Sequence, residues 1–163
     1  MIKNKKVLCI ILARGGSKGV ERKNIQKLID KPLIAYTIIE ARKSKYIDRI
    51  IVSSDDNKIR KVAMEYGAEA PFKRPKNLAS DTANSHVAYK HALTWVEKEE
   101  KFRYDYLLEL LCTNPFKTSK DIDNVLDKLY RTNADSVIGV SKLVGYHPLR
   151  IKRIENDRIK DFC

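Results

Sequence analysis

The chain has 163 residues, 33 Lys and Arg against 21 Asp and Glu for a formal net charge of +12, and 43% hydrophobic residues. This length and composition predict one domain with a real buried core, and they exclude a disordered chain, a collagen-like repeat and, with no apolar run near the ~20 residues of a membrane span, a membrane protein. The charge favours anionic partners (nucleic acid, anionic lipid or phosphorylated metabolites) without choosing among them, since much of the Lys excess falls on polar helix faces.

The basic start, Met1 to Lys6, is followed by a short apolar stretch that runs into Arg14-Gly15-Gly16 and not into a signal cleavage site, so a cytoplasmic location is expected. Lys6 to Leu12 reads as a buried strand. Pro32 to Ser44 reads as a helix with Pro32 in its first turn, and Arg49 to Ser53 as the next strand. Asp56 to Tyr66 carries Ile59, Val62, Ala63 and Tyr66 at helical spacing, with Asp55 expected as N-cap and Gly67 as the stop. A short segment, Ala68 to Phe72, leads to a turn through Arg74-Pro75. Asn84 to Glu100 is expected to be helical, with His86 and His91 as partly buried structural residues and Trp95 in the core. Tyr106 to Leu111 is a strand. Lys120 to Arg131 is a helix whose Thr118 and Asp121 resemble a capping box. Ser136 to Val140 is a strand, and 149–154 with 158–162 form a hairpin around Asn156-Asp157. Alternating strands and helices predict an α/β domain, a mostly parallel sheet flanked by helices. Ligands of such sheets bind at the carboxyl ends of the strands, where the loops 13–24, 53–56 and 111–117 lie. The chain ends at Cys163 with no helix over its last strand, so the domain reads as cut short at its C-terminus. Cys9, Cys112 and Cys163 are odd in number and contain no C-x-x-C pair, which argues against a disulfide framework or a structural zinc site.

The chemistry is concentrated in Ala13-Arg14-Gly15-Gly16-Ser17-Lys18-Gly19, continuing through Arg22-Lys23-Asn24, directly after the first strand. Glycines let backbone N–H groups approach a ligand, and four cations within ten positions suit a polyphosphate whose charge grows during transfer. The spacing fits neither G-x-x-x-x-G-K-[ST] nor G-x-G-x-x-G, which disfavours a P-loop NTPase and a dinucleotide-dependent oxidoreductase.

This loop resembles the signature of the acylneuraminate (CMP-sialic acid type) cytidylyltransferases. Further segments agree in family order: Lys31-Pro32-Leu33-Ile34, Ile51 to Asp56, Arg74-Pro75 through Leu78-Ala79-Ser80-Asp81-Thr82, Thr113-Asn114-Pro115 and His147-Pro148. The resemblance implies a Rossmann-like nucleotidyltransferase fold, with residues 1–163 a single domain whose C-terminal sugar-binding and dimerisation part is missing. It implies that the anomeric hydroxyl of a 2-keto-3-deoxy sugar acid attacks the α-phosphorus of CTP, that pyrophosphate leaves, and that magnesium bridges phosphate oxygens. Ala13, Arg14, Gly15, Gly16, Ser17, Lys18 and Asn24 would bind the triphosphate, with Arg14, Lys18 and Lys23 as the charge-stabilising catalytic residues. Arg74, Thr82 and Ser85 would hold the nucleoside. Leu111, Asn114 and His147 are the sugar-side candidates.

Two departures stand out. Where many members have Leu-Leu-Gln-Pro-Thr-Ser-Pro, this chain has Leu111 at the Gln and Asn114 at the Ser, and an alkyl group cannot make the bonds of an amide. The family's late Asp-x-Asp, which binds magnesium, is absent. Asp121-Ile122-Asp123 reads as a helix start, where carboxylates favour the dipole. Asp55 and Asp56 are divided between helix capping and contact with substrate or metal, with Asp55 the metal candidate, so the metal ligands are undetermined. Partners are expected to be CTP and the sugar acid, with no nucleic acid and no membrane, and the homodimer typical of the family lacks its segment here. The rival readings are a non-catalytic nucleotide-binding remnant and an RNA-binding module. The second lacks a strand of interleaved aromatic and basic residues.

Overall fold

The computed structural model describes residues 2, 4–140, 152–156 and 158–161. Its centre is β1 (Val7–Leu12), flanked in a parallel three-stranded sheet by β4 (Arg49–Ser53) and β5 (Tyr106–Leu110). Ile10 faces Ile51 on one side and Glu109 on the other. A strand covered on both faces needs no polar side, which is why β1 reads as an unbroken apolar run. Its alternate residues divide the core. Cys9 and Ile11 pack with Ile38 of α1 (Leu33–Lys43), Ala63 of α2 (Asn57–Glu65) and Leu126 of α4 (Ser119–Thr132), whereas Leu8 and Ile10 pack with Tyr89, Ala92 and Val96 of α3 (Ser85–Glu100). Parallel strands require crossovers, and these helices supply them.

The capping box forms: the Asp121 amide donates to the Thr118 hydroxyl at 3.2 Å and the Thr118 amide to the Asp121 carboxylate at 2.9 Å. Gly67, at φ +91°, stops α2, and a Cβ there would fall 2.6 Å from the Arg42 guanidinium. The N-cap of α2 is Asp56 and not Asp55: Asp56 is the residue with extended backbone, and its carboxylate accepts from the amides of Lys58 at 2.7 Å and Ile59 at 3.2 Å. Asp55 is thereby released toward the loop after β1. Pro32 precedes α1 instead of opening it, because it pairs with Lys27 in a small hairpin of β2 (Lys27–Leu28) and β3 (Lys31–Pro32).

Ser136 to Val140 is not a strand. It gains no pairing among the described residues, and Ile138 and Val140 stand 79% and 85% exposed. The terminal hairpin does form as β6 (Lys152–Glu155) and β7 (Arg158–Asp161), with Asn156 at positive φ. The remainder of its expected span, 149–151, 157 and 162, lies outside the described residues, as do His147 and Pro148. His91 is half-buried and edge-on to Phe72, and Trp95 packs on the same ring, while His86 is exposed in the first turn of α3.

Candidate functional site

A cleft of about 640 Å³ opens at the carboxyl end of the sheet, within the size range of small-molecule sites. Three segments build it: the loop after β1, the stretch between Arg74 and Ala88, and the turn after β5. Arg14, Ser17, Lys18, Lys23, Asn24, Arg74, Ser85 and Leu111 all line it, so most of the expected site residues converge. A smaller cavity, about 240 Å³, lies at the opposite end of β4, where Arg49 grips Glu69 through two bonds of 2.7 and 2.8 Å and leaves little charge for a ligand.

The loop geometry is set from below. The Ala13 amide donates to the Ser53 carbonyl at 3.1 Å, and the residue is fully buried, so Ala13 ends the sheet beneath the cleft instead of lining it. The Gly15 amide donates to the Asp55 carboxylate at 3.0 Å. A Cβ on Gly15 would lie 2.9 Å from Cβ of Asp56, so this close approach demands glycine. The Ser17 amide turns back to the Gly15 carbonyl at 3.1 Å. The amides of Gly15 and Ser17 are therefore spent within the fold, and Arg14, Lys18 and Lys23 line the cleft. Gly16 is exposed and does not line the cleft. Buried Asn24 donates through its amide to the Arg14 carbonyl at 3.2 Å and ties the two ends of the loop together.

Two cations of the loop converge on one carboxylate. Arg14 Nη2 stands 2.7 Å from Oδ1 of Asp81, Lys18 Nζ stands 3.0 Å from Oδ2, and Arg14 Nη1 donates to the Ser80 carbonyl at 2.9 Å. The Lys18 hydrogen bond, with Arg14 beside it, holds the Asp81 carboxyl below the usual range. Asp81 is not among the expected site residues, although it stands inside the Leu78 to Thr82 segment. The signal was a carboxylate in a motif otherwise matched to anion binding.

Arg74 forms the floor. Its amide donates to the Ser54 carbonyl at 2.9 Å, its side chain is 4% exposed, and Nε and Nη2 have no hydrogen-bond partner. Asp55 approaches Nη2 only to 3.9 Å. Burial pushes the guanidinium pKa down while Asp55 opposes this. A buried cation with unsatisfied N–H groups facing a cleft is suited to an incoming acceptor. Thr82 and Asn114 do not line the cleft. Thr82 is exposed, 3.5 Å from the Ser80 hydroxyl, and Asn114 uses its carbonyl to accept from Lys117.

Among the described residues no three His, Cys, Asp or Glu side chains gather to hold a metal. Of the two candidate ligands, Asp56 caps α2, and Asp55 already binds a peptide N–H and neighbours Arg74. One carboxylate suits an ion that arrives on a nucleotide's phosphates better than one caged by protein. No helix among the described residues is long and apolar enough to cross a membrane.

A family model described as cytidylyltransferase matches residues 8–152. The chain is 42% identical over 129 residues to the pseudaminic acid cytidylyltransferase of Campylobacter jejuni subsp. jejuni, covering 79% of this chain and 55% of that protein. It is also 42% identical over 127 residues to the N-acylneuraminate cytidylyltransferase of Escherichia coli O18:K1:H7, covering 78% of this chain and 29% of that one. The chain spans about half the length of the first curated relatives it matches. In fold it is similar to the solved CMP:2-keto-3-deoxy-manno-octonic acid synthetase complexed with CTP, with a TM-score of 0.64 and 20% identity over 80% of this chain and 49% of that one.

Proposed function

The chain belongs to the cytidylyltransferase family, and on that premise we propose that it carries the CTP-binding half of an enzyme that transfers CMP from CTP to a nonulosonate, a sialic-acid-like 2-keto-3-deoxy sugar acid, with release of pyrophosphate. The observation that carries this reading is the convergence of Arg14 and Lys18 on one anion opposite the unsatisfied guanidinium of Arg74. In this reading Asp81 takes the place of a triphosphate oxygen between Arg14 and Lys18. CTP displaces it, Arg14 and Lys18 turn to the phosphates, and Lys23 closes the rim. Arg74 and Ser85 orient the nucleoside. The anomeric oxygen then bonds to the α-phosphorus as the bond to pyrophosphate breaks, and the hydroxyl proton passes to solvent. The chain's residues contribute position and charge stabilisation, the two largest sources of rate in such transfers. Magnesium belongs to the proposal as a companion of the triphosphate, where it would neutralise phosphate charge.

Leu111 on the sugar-side wall supports an acceptor that makes no amide contact there. The buried free thiols Cys9 and Cys112 support a reducing, cytoplasmic setting. The test is calorimetric titration with CTP, then pyrophosphate release in the presence of magnesium and a panel that includes pseudaminic and N-acetylneuraminic acids. CTP binding is expected, with only slow release above background, because the chain carries the CTP-binding half and little of the sugar half. Binding without release from any acid leaves the nucleotide-binding remnant, and no CTP binding overturns both.

Asp81→Asn follows from the same geometry. The carboxylate is 41% exposed and Lys18 79%, so the pair is screened by solvent and weak. Removing the competing charge is expected to tighten CTP binding by up to about fivefold, read as Kd by calorimetry. Weaker binding would mean that Asp81 positions the cations for the nucleotide instead of competing with it.

A further inference from the structure

We propose that Lys117 is the positioning residue of the acceptor-side wall: its ammonium clamps the turn after β5 to α1 and so sets where Leu111, Cys112 and Thr113 meet the sugar. Lys117 does not line the cleft. Its Nζ reaches beneath the turn and donates to the Thr37 hydroxyl at 2.8 Å, to the Leu111 carbonyl at 2.9 Å and to the Asn114 carbonyl. An ammonium has three donors, and all three are used. Thr37 is fully buried on α1, and its own hydroxyl lies 3.4 Å from the same Leu111 carbonyl. One side chain therefore joins both ends of the turn to a rigid helix.

Without it, two carbonyls would lose their charged partner inside a partly desolvated site. Burial already pushes the Lys117 pKa down, so the cation is held there for its contacts and not for solvation. A turn fixed at both ends by charge-assisted bonds holds its side chains far more closely than a solvated loop would.

The inference rests on the proposed function for the identity of the acceptor, but its geometry can be read independently through Cys112. This thiol is 3% exposed and lines the cleft, whereas Cys9 lies fully buried in the central strand. Burial pushes the Cys112 thiol to about 11 while the Lys117 ammonium pulls it the other way. Deleting the cation would therefore slow alkylation unless the turn opens.

In the full-length protein, Lys117→Met is expected to speed iodoacetamide labelling of Cys112 at least about tenfold, followed by peptide mass spectrometry, with Cys9 unchanged. The KM for the sugar acid is expected to rise by about the same factor while the KM for CTP stays within about twofold. Thr37→Val, which keeps the cation and removes one anchor, should give a smaller rise in Cys112 labelling. Labelling of Cys112 that is unchanged in both variants, or that rises only together with Cys9, overturns the proposal. If the parent protein binds CTP but consumes no sugar acid, the function assigned above fails while the labelling result still decides the clamp.

Discussion

Arg14→Ala is expected to lower kcat/KM for CTP by on the order of 10²–10³, the loss that follows when one charge-stabilising donor, worth about 2.7–4 kcal/mol, is removed from a transition state. The fold should barely notice. The Arg14 side chain is 35% exposed, and its ion pair with Asp81, itself 41% exposed, is screened by solvent and adds little to the fold. Activity and stability should therefore separate: steady-state kinetics on the full-length protein show the loss, and a thermal melt stays within a few degrees of the parent. Lys23→Ala is expected to act in the same direction, since Lys23 is exposed on the cleft rim and spends little on the fold. If both variants keep near-parental rates, the loop does not stabilise the transferred phosphate.

How far the sequence foretold this site varies with the range of the interaction. The strand Val7–Leu12 announces itself because both its faces are covered, and α4 because Thr118 and Asp121 answer one another three residues apart. Both signals are local. The exchange of roles between Asp55 and Asp56 was not legible: two adjacent carboxylates can each cap a helix, and only the loop 40 residues earlier, which needs an acceptor for the Gly15 amide, decides between them. Ser136 to Val140 has the composition of a strand, but strand propensity reports a fit to neighbours and those are missing among the described residues. No motif in the sequence singles out Lys117. Its importance comes from Thr37, 80 residues away in sequence, and no periodicity connects the two. The same holds for Asp81, whose partners Arg14 and Lys18 lie more than sixty residues upstream. Motifs mark the groups proposed to meet a ligand, and only the fold shows which groups hold them in place.

Arg74 offers the sharpest separation of folding from function. Its guanidinium is 4% exposed, Nε and Nη2 have no hydrogen-bond partner, and the nearest carboxylate is 3.9 Å away. Leaving buried polar groups unsatisfied costs about 1–3 kcal/mol, more when they are charged, and replacing buried ionic groups by apolar ones of similar volume is often neutral or stabilising. Arg74→Leu is therefore expected to leave the melting temperature unchanged or raise it by about 2–4 °C, the shift that about 1 kcal/mol produces in a domain of this size. Asp55 does not reverse this, since it keeps the Gly15 amide and some contact with solvent. CTP binding should respond in the opposite sense. If Arg74 holds the nucleoside as proposed, two charge-assisted bonds, each worth about 1.5–3 kcal/mol, are lost together, so the Kd should weaken by on the order of a hundredfold or more. Calorimetry and a melt on the same sample measure both. A variant that melts well below the parent would make Arg74 a structural ion-pair residue, and one that binds CTP as the parent does would remove it from the nucleotide site. A more stable protein that has lost its nucleotide is the outcome that follows only if the fold carries an unpaired buried cation for the sake of its ligand.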